Sequence, residues 1–441
     1  ADYWVWKFSN KTSGDYSQWQ HVRSTGRLYV GEGFTMKGPG TGSISTPQNY
    51  VLAGKPNNGD INLSISVGND YLVGNPYPSA LDADQFILDN GLTIAGPGST
   101  TGTLYFWEHW GGGSHYLADY QGGYATYSLS GGVPAASLGT NDPLVATGGI
   151  PTKIPGRYIP VAQGFFVTAE NSGTIKFNNG QRVFQIEDGS NSLFIKQSNT
   201  KKSQSSENKQ QSDIRTKLRL GFNSPSTIRR QILATIDQRA SINYDWGFDS
   251  KYIDEQVDDM YWMINDEKYV IQGLNEFTLE TILPLGIHTK KAGEIKITID
   301  NIENEITNLN IYLHDKELNE YHNLKQSDYI VSLNIGAYLN RFEITFSNKL
   351  DQTALGIDEI KNDSINTFYS NEKSSLVIQN PNLTTINSAE LFNILGQLVY
   401  KFDEIGYENY QEFKTMNLQA GTYTIKLKTS ENIISKKVLI K

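Results

Sequence analysis

The six histidines, His21, His109, His115, His288, His314 and His322, are the first residues to test for chemistry, and none sits at a metal-ligand spacing such as His-x-x-x-His. His109 and His115 flank Trp110-Gly111-Gly112-Gly113-Ser114, whose glycines could let two imidazoles converge. Two isolated rings on a loop is the simpler reading. Carboxylates crowd Tyr244-Asp245-Trp246-Gly247-Phe248-Asp249 and Asp254-Glu255-Gln256-Val257-Asp258-Asp259. Such residues supply the oxygen ligands that calcium takes, but the EF-hand spacing is absent and a solvated acidic loop explains them as well. No Gly-x-Ser-x-Gly elbow and no phosphate-binding loop occurs. A glycosidase pair meets only in space, and nothing in the sequence selects two carboxylates for that role. The sequence therefore nominates no catalytic residue and no cofactor, with calcium an option in the acidic segments.

Aromatic side chains offer binding instead of catalysis. Tyr105, Trp107, Trp110, Tyr116, Tyr120, Tyr124 and Tyr127 fall within one short stretch. Exposed aromatic faces bind sugars and proteins well, although strand alternation turns half of such a set into a core. Trp107, inside Leu104-Tyr105-Phe106-Trp107, is expected to be buried. Trp110 beside the glycines is expected to be exposed and, with Tyr116 and Tyr120, forms the candidate ligand-binding set.

The elements that must position these residues read almost entirely as strands. Ile61, Leu63, Ile65 and Val67 alternate with Asn62, Ser64 and Ser66, the period of a strand with one buried face. Gly164-Phe165-Phe166-Val167 reads as a more fully buried strand. Ala80 to Ile87 is the best helix candidate, with Ser79 as its cap. Residues 197–213 contain no apolar side chain and read as a linker or flexible surface loop. Beyond them, Leu218, Leu220 and Phe222, the run Glu294 to Asp300, and Arg341 to Phe346 each alternate, as an antiparallel sandwich requires. A second polar junction covers 351–364, and about seven short strands follow to Lys441. The expected fold is all-β: two larger β-sandwich-like domains, 1–195 and 214–350, then a small C-terminal immunoglobulin-like β-sandwich, 365–441.

Composition narrows the function classes. The chain has 441 residues, 40 glycines, 25 tyrosines and a formal net charge of −9. No basic excess is available to neutralise nucleic-acid phosphates or to seek anionic lipid. The absence of cysteine removes disulfides, thiolate nucleophiles and Cys-ligated zinc. No apolar run is long enough to span a bilayer. The chain opens directly on strand-like Ala1-Asp2-Tyr3-Trp4-Val5-Trp6, so either a leader has been removed or this is the C-terminal part of a longer protein.

The segments Ala389-Glu390-Leu391-Phe392-Asn393-Ile394-Leu395-Gly396-Gln397-Leu398-Val399-Tyr400, Leu418-Gln419-Ala420-Gly421-Thr422-Tyr423-Thr424-Ile425-Lys426-Leu427 and the terminal Ser435-Lys436-Lys437-Val438-Leu439-Ile440-Lys441 resemble the C-terminal sorting domain of Bacteroidota type IX secretion cargo. Order, spacing and terminal placement agree. The Tyr-Pro-Asn-Pro-like opening common in such domains is replaced here by Phe368-Tyr369-Ser370-Asn371-Glu372. The resemblance implies export through the periplasm and recognition of the domain by the outer-membrane translocon and its shuttle protein. It further implies delivery to the cell surface or medium. It assigns the secretion signal to Asn393, Leu395, Gly396, Gln397, Gly421, Tyr423, Lys436 and Lys437. The N-terminal segments Gly33 to Gly38, Leu72 to Asp82 and Val161 to Val167 resemble parts of large flavobacterial surface proteins, many of them adhesin-like. The expectation is a non-enzymatic secreted or cell-surface adhesin-like protein with a carbohydrate or surface-protein ligand. The alternative is a secreted polysaccharide-acting hydrolase on the same export route.

Overall fold

A computed structural model describes residues 4–37, 50–91, 98–111, 120–138, 153–185, 213–305, 309–348, 365–371, 373–380, 383–415, 418–429 and 433–440. Strands dominate throughout, as expected. The chain divides into two compact units, Ala1–Ser347 and Asn348–Lys441.

In the first unit, a six-stranded antiparallel sheet has the order Lys11–Thr12, Asn69–Gly74, Gly164–Thr168, Leu104–Gly111, Gln121–Ser128, Gly131–Val133. Alternation sends Tyr71, Val73, Phe165, Val167, Leu104, Phe106, Ala125 and Tyr127 into one core. The helix Ala83–Asp89 closes that core with Phe86 against Phe165 and Phe177. It starts three residues later than the sequence suggests. Ala80–Asp82 is a strand paired with Tyr158–Ile159 and Arg182–Val183. Asp82, not Ser79, caps the helix: its carboxylate accepts from the Asp84 and Gln85 amides and is gripped by Arg157 at 2.7 and 2.9 Å.

The larger sheet of this unit runs Glu320–Asn323, Tyr312–Asp315, Gly336–Thr345, Ile282–Thr289, Asp259–Ile264, Glu267–Leu274, Arg229–Ile236, Lys217–Asn223, Gly293–Glu303, Tyr329–Leu333, with Ser250–Lys251 pairing off this path. Only the contact between Arg229–Ile236 and Glu267–Leu274 is parallel. The sheet curls over its own core around Trp262, because Tyr329 of one end strand donates to Asp315 of the penultimate strand at the other end, 2.7 Å away.

The segments on either side of 196–213 are interlocked; of that expected linker only Asp213 lies among the described residues. Ala240 and Phe248 belong to the same core as Phe86. Leu129 and Gly247 share a backbone hydrogen bond of 2.8 Å, and Ser137 and Arg229 exchange two, of 3.0 and 2.8 Å. The Trp246 indole fills space left by Gly91, where an added Cβ would stand 2.1 Å from it, and its Nε1 donates to the Thr100 carbonyl at 2.8 Å.

The second unit pairs a three-stranded sheet, Asn366–Ser370, Ser375–Gln379, Tyr410–Lys414, with a four-stranded one, Leu398–Gly406, Ile386–Phe392, Gly421–Thr429, Ile433–Ile440. Leu376, Ile378, Leu391, Ile425 and Leu427 lie at the centre of their common core. Phe368, Tyr369 and Ser370 form part of the first strand without either proline of the usual opening. The expected junction at 351–364 lies outside the described residues.

Candidate binding surface

Opposite its core, the six-stranded sheet carries an aromatic row. Trp107 and Tyr124 face each other across neighbouring strands, 5.2 Å between ring centroids. Tyr124 continues to Phe166 at 5.8 Å, and Phe166 to Trp19 at 5.9 Å and Phe8 at 5.8 Å. Each contact is edge-to-face, the arrangement that ring quadrupoles favour. Phe8 is buried; Trp19, Phe166 and Tyr124 are half-buried; Trp107 is 45% exposed. This corrects the expectation that Trp107 is buried. Leu104 and Phe106 take the core side, so Tyr105 and Trp107 must point away.

Residues from the larger sheet's side brace the row. Asp254 accepts from the Tyr124 amide at 3.0 Å and from Arg230 at 3.0 Å. Burial, reinforced by the charge of Asp70, pushes the Tyr105 and Tyr124 hydroxyls well above the usual phenol range. Both remain neutral donors at any physiological pH.

Of the residues nominated from sequence, Tyr120 is half-buried beside His109, centroids 4.8 Å apart, with Lys37 over its ring at 5.1 Å and over Trp4 at 4.5 Å. Trp110 lies on the strand Leu104–Gly111, and its side chain is outside the described part. Tyr116 and His115 are outside the described residues. Sequence reasoning missed Trp19 and Phe166, which sit far from the dense stretch and reach it only through sheet pairing.

The described histidines are dispersed. His21 stacks on Trp6 at 4.3 Å, His288 donates through Nε2 to the Gln256 carbonyl at 2.9 Å, and His314 stacks on Tyr321 while donating through Nδ1 to Glu343 at 2.8 Å. His322 Nε2 lies 2.9 Å from the Ser327 carbonyl. Apart from the exposed Glu255, the carboxylates of the acidic segments are buried or half-buried. Asp259 receives Arg230 in a fork at 2.7 and 2.8 Å, and Tyr252 adds a hydroxyl at 2.9 Å. Asp258 accepts from the Ser226 and Lys290 amides, and Asp249 from those of Gly273 and Asp245. Burial pushes Asp249 up to about 7 against those two hydrogen bonds. Among the described residues no group of three or more histidines and carboxylates is placed to hold a metal. A cavity of about 20 Å³, lined by Leu218, Phe277 and Phe346 among others, has room for little more than a water.

The residues that the resemblance nominates as the secretion signal gather at two places in the second unit. Asn393 organises the turn Asn393-Ile394-Leu395-Gly396-Gln397: its Oδ1 accepts from the Leu395 and Gln397 amides at 3.0 Å, and its amide donates to Gln397 Oε1 at 2.9 Å. Gly396 holds φ +74°, a conformation that glycine adopts without strain. Ile394 and Leu395 project from the tip, both more than three-quarters exposed. Gly421 opens the central strand Gly421–Thr429, and buried Tyr423 donates to the Gln419 carbonyl at 2.9 Å. Lys436 and Lys437 are exposed on the edge strand Ile433–Ile440, opposite Ile425 and Thr424. Lys436 therefore falls on the row that faces the core, an inward-row charge of the kind that guards an edge against further strand pairing.

Residues 371–441 match the secretion system C-terminal sorting domain. The chain is thus type IX secretion cargo, bearing the signal for export to the cell surface or extracellular space and for interaction with that machinery. No match was found among curated proteins. Residues 1–346, spanning both larger sheets, match the family described as a domain of unknown function, DUF8693, and the chain belongs to that family.

Proposed function

We propose that this is an adhesin-like protein whose first unit binds a carbohydrate or protein ligand at the aromatic row, while the sorting domain supplies delivery. The single observation that carries this reading is the placement of Trp107: a large aromatic ring, 45% exposed, at the open end of a row whose other members are fixed by mutual packing. Rigid, partly exposed aromatics are the residues through which binding surfaces gain most of their affinity. The carboxylates of Asp249, Asp254, Asp258 and Asp259 accept from the protein's own donors, which supports binding over hydrolysis at the acidic segments.

The test is a binding screen with the purified full chain against polysaccharides and surface proteins, comparing wild type with Trp107→Ala. Loss of about 1–3 kcal/mol of binding energy by a chain that still folds cooperatively, at a somewhat lower melting temperature because the ring packs on Tyr124, is the expected result. Equal binding by both proteins to every ligand found would overturn the assignment.

A further inference from the structure

The aromatic row does not stop at Phe8 and Trp19. Those two rings meet edge-to-face at 5.4 Å. Beside them the short strands Trp6–Lys7 and Gln20–His21 pair Trp6 with His21. Trp6 lies two residues before Phe8 and His21 two after Trp19, so strand alternation keeps both on the face of the row. Their rings stack nearly parallel, 4.3 Å apart. Arg23 comes next, and its Nε donates to His21 Nδ1 at 3.1 Å. The row therefore runs from an open indole at Trp107 to a guanidinium at Arg23.

Arg23 is exposed and forms no ion pair among the described residues. Its backbone holds φ +55°, in the left-handed region that glycine enters freely and a residue with a Cβ enters at a cost. Such strain gathers at functional sites. The surrounding charge has the same sign. Residues 4–37 hold five cations, Lys7, Lys11, Arg23, Arg27 and Lys37, against two carboxylates, Asp15 and Glu32, in a chain of net charge −9. Both carboxylates are engaged, Glu32 by Lys7 at 2.9 Å and Asp15 by Ser17 and Gln18. Asp70, on the row's side of the strand Asn69–Gly74, accepts from Thr168 at 2.8 Å.

We propose that the ligand of the row is an acidic polysaccharide, a uronic acid polymer whose sugar rings lie on Trp107 and its neighbours while a carboxylate forks onto Arg23. This rests on the reading of the row as a binding surface and names the ligand class for it. A guanidinium matches a carboxylate as a planar two-bond fork, and the bond to His21 uses only Nε. Ring spacings of 5.2, 5.8 and 5.9 Å separate Trp107, Tyr124, Phe166 and Trp19 in turn. A ligand that reaches Arg23 from Trp107 is thus a chain of sugars, not one. A nucleic acid is a denser polyanion, which the overall negative charge of the protein disfavours.

Isothermal titration of the full chain with polygalacturonate and with its methyl ester tests the proposal, because the ester keeps the sugar backbone and loses the charge. Polygalacturonate is expected to bind about tenfold or more tightly than the ester, by a margin that shrinks as salt is raised. Arg23→Gln is expected to bring the acid down to the level of the ester. Arg23→Gly is expected to do the same without lowering the melting temperature, since glycine takes φ +55° freely. Equal binding of acid and ester, no binding of either, tighter binding of single-stranded DNA, or acid binding that survives Arg23→Gln would overturn the proposal. A lower melting temperature for Arg23→Gly would overturn it too, by making Arg23 a residue of the fold. Each of these results leaves the row itself standing as long as Trp107→Ala weakens whatever ligand is found.

Discussion

Gly122 makes the room that the Trp107 indole occupies: a Cβ built on Gly122 falls 2.3 Å from Trp107 Cζ2 and 2.6 Å from the Glu108 carbonyl oxygen. Gly122 lies opposite His109, one outward position along from the pair of Trp107 and Tyr124. The missing side chain thus lets the ring lean diagonally across the strand and cover backbone that would otherwise be bare. The most exposed ring of the row owes its pose to a glycine.

Gly122→Ala is expected to displace that ring and to cost about 1–3 kcal/mol, because one of the two close atoms is backbone and the other belongs to a bulky ring. Urea unfolding measures the cost, and a shift in tryptophan emission reports the ring. An unchanged emission spectrum would show that Trp107 keeps its position without the glycine.

Arg230 is expected to be far more sensitive than any surface arginine. It is buried, forks onto Asp259 and reaches Asp254, which in turn holds the Tyr124 amide. Arg230→Met removes the only cation paired with Asp254 and Asp259 among the described residues and leaves two buried carboxylates near each other. A loss of about 3–5 kcal/mol follows from stranding such charges. Arg230→Lys is expected to recover little, since an ammonium cannot make the fork. Chemical denaturation of the two variants checks both statements.

Stability should depend on pH with opposite signs on the two sides of its optimum. Burial raises Asp249 from 3.8 to about 7 despite its two amide donors. A carboxyl raised in the fold contributes stability that is complete below its unfolded pKa and is lost as pH climbs through about 7. Asp70 and Asp84, also raised by burial, act in the same direction. Asp237 behaves oppositely: burial would raise it, but Arg239 and Arg215 win and draw it down to about 2. Its contribution is present above 3.8 and disappears as pH falls toward 2. Melting temperatures across this range should therefore peak on the mildly acidic side. Asp249→Asn should flatten the decline toward neutral pH, even though losing one acceptor lowers the whole curve; an undiminished decline would remove Asp249 as its cause.

Much of the strand content is legible in the sequence, because alternation of residues such as Leu218, Leu220 and Phe222 reports a two-faced element directly. Alternation does not say which face meets a core when both faces are apolar. Leu104-Tyr105-Phe106-Trp107 is such a case, and Trp107 emerges on the outer side only because Phe106 meets Phe165 within the core. The helix starts later than the local pattern suggests because Asp82 is both a strand residue and a cap, a dual role fixed by Arg157, 75 positions away. Long-range partners explain the rest. Trp19 reaches Phe166 and Trp246 reaches Thr100 across separations that no local pattern records. The Asn393–Gln397 turn, by contrast, is local: its asparagine and glutamine bond within five residues, and its glycine takes the positive φ that the sequence suggests.

That local turn yields a prediction separating fold from export. Nothing lies within 4 Å of a Cβ added to Gly396, so Gly396→Ala meets no steric obstacle and suffers only the positive φ. It is expected to lower the stability of the second unit by about 1–2 kcal/mol. Asn393→Ala, which removes both side-chain acceptor bonds and the amide donation to Gln397, is expected to loosen the tip that presents Ile394 and Leu395. If the machinery reads the ordered turn, Asn393→Ala lowers the exported fraction more than Gly396→Ala does, and removal of residues 365–441 abolishes export. Immunodetection in medium, surface and periplasmic fractions distinguishes the cases. Full export of the chain lacking 365–441 would mean that delivery does not depend on the sorting domain at all.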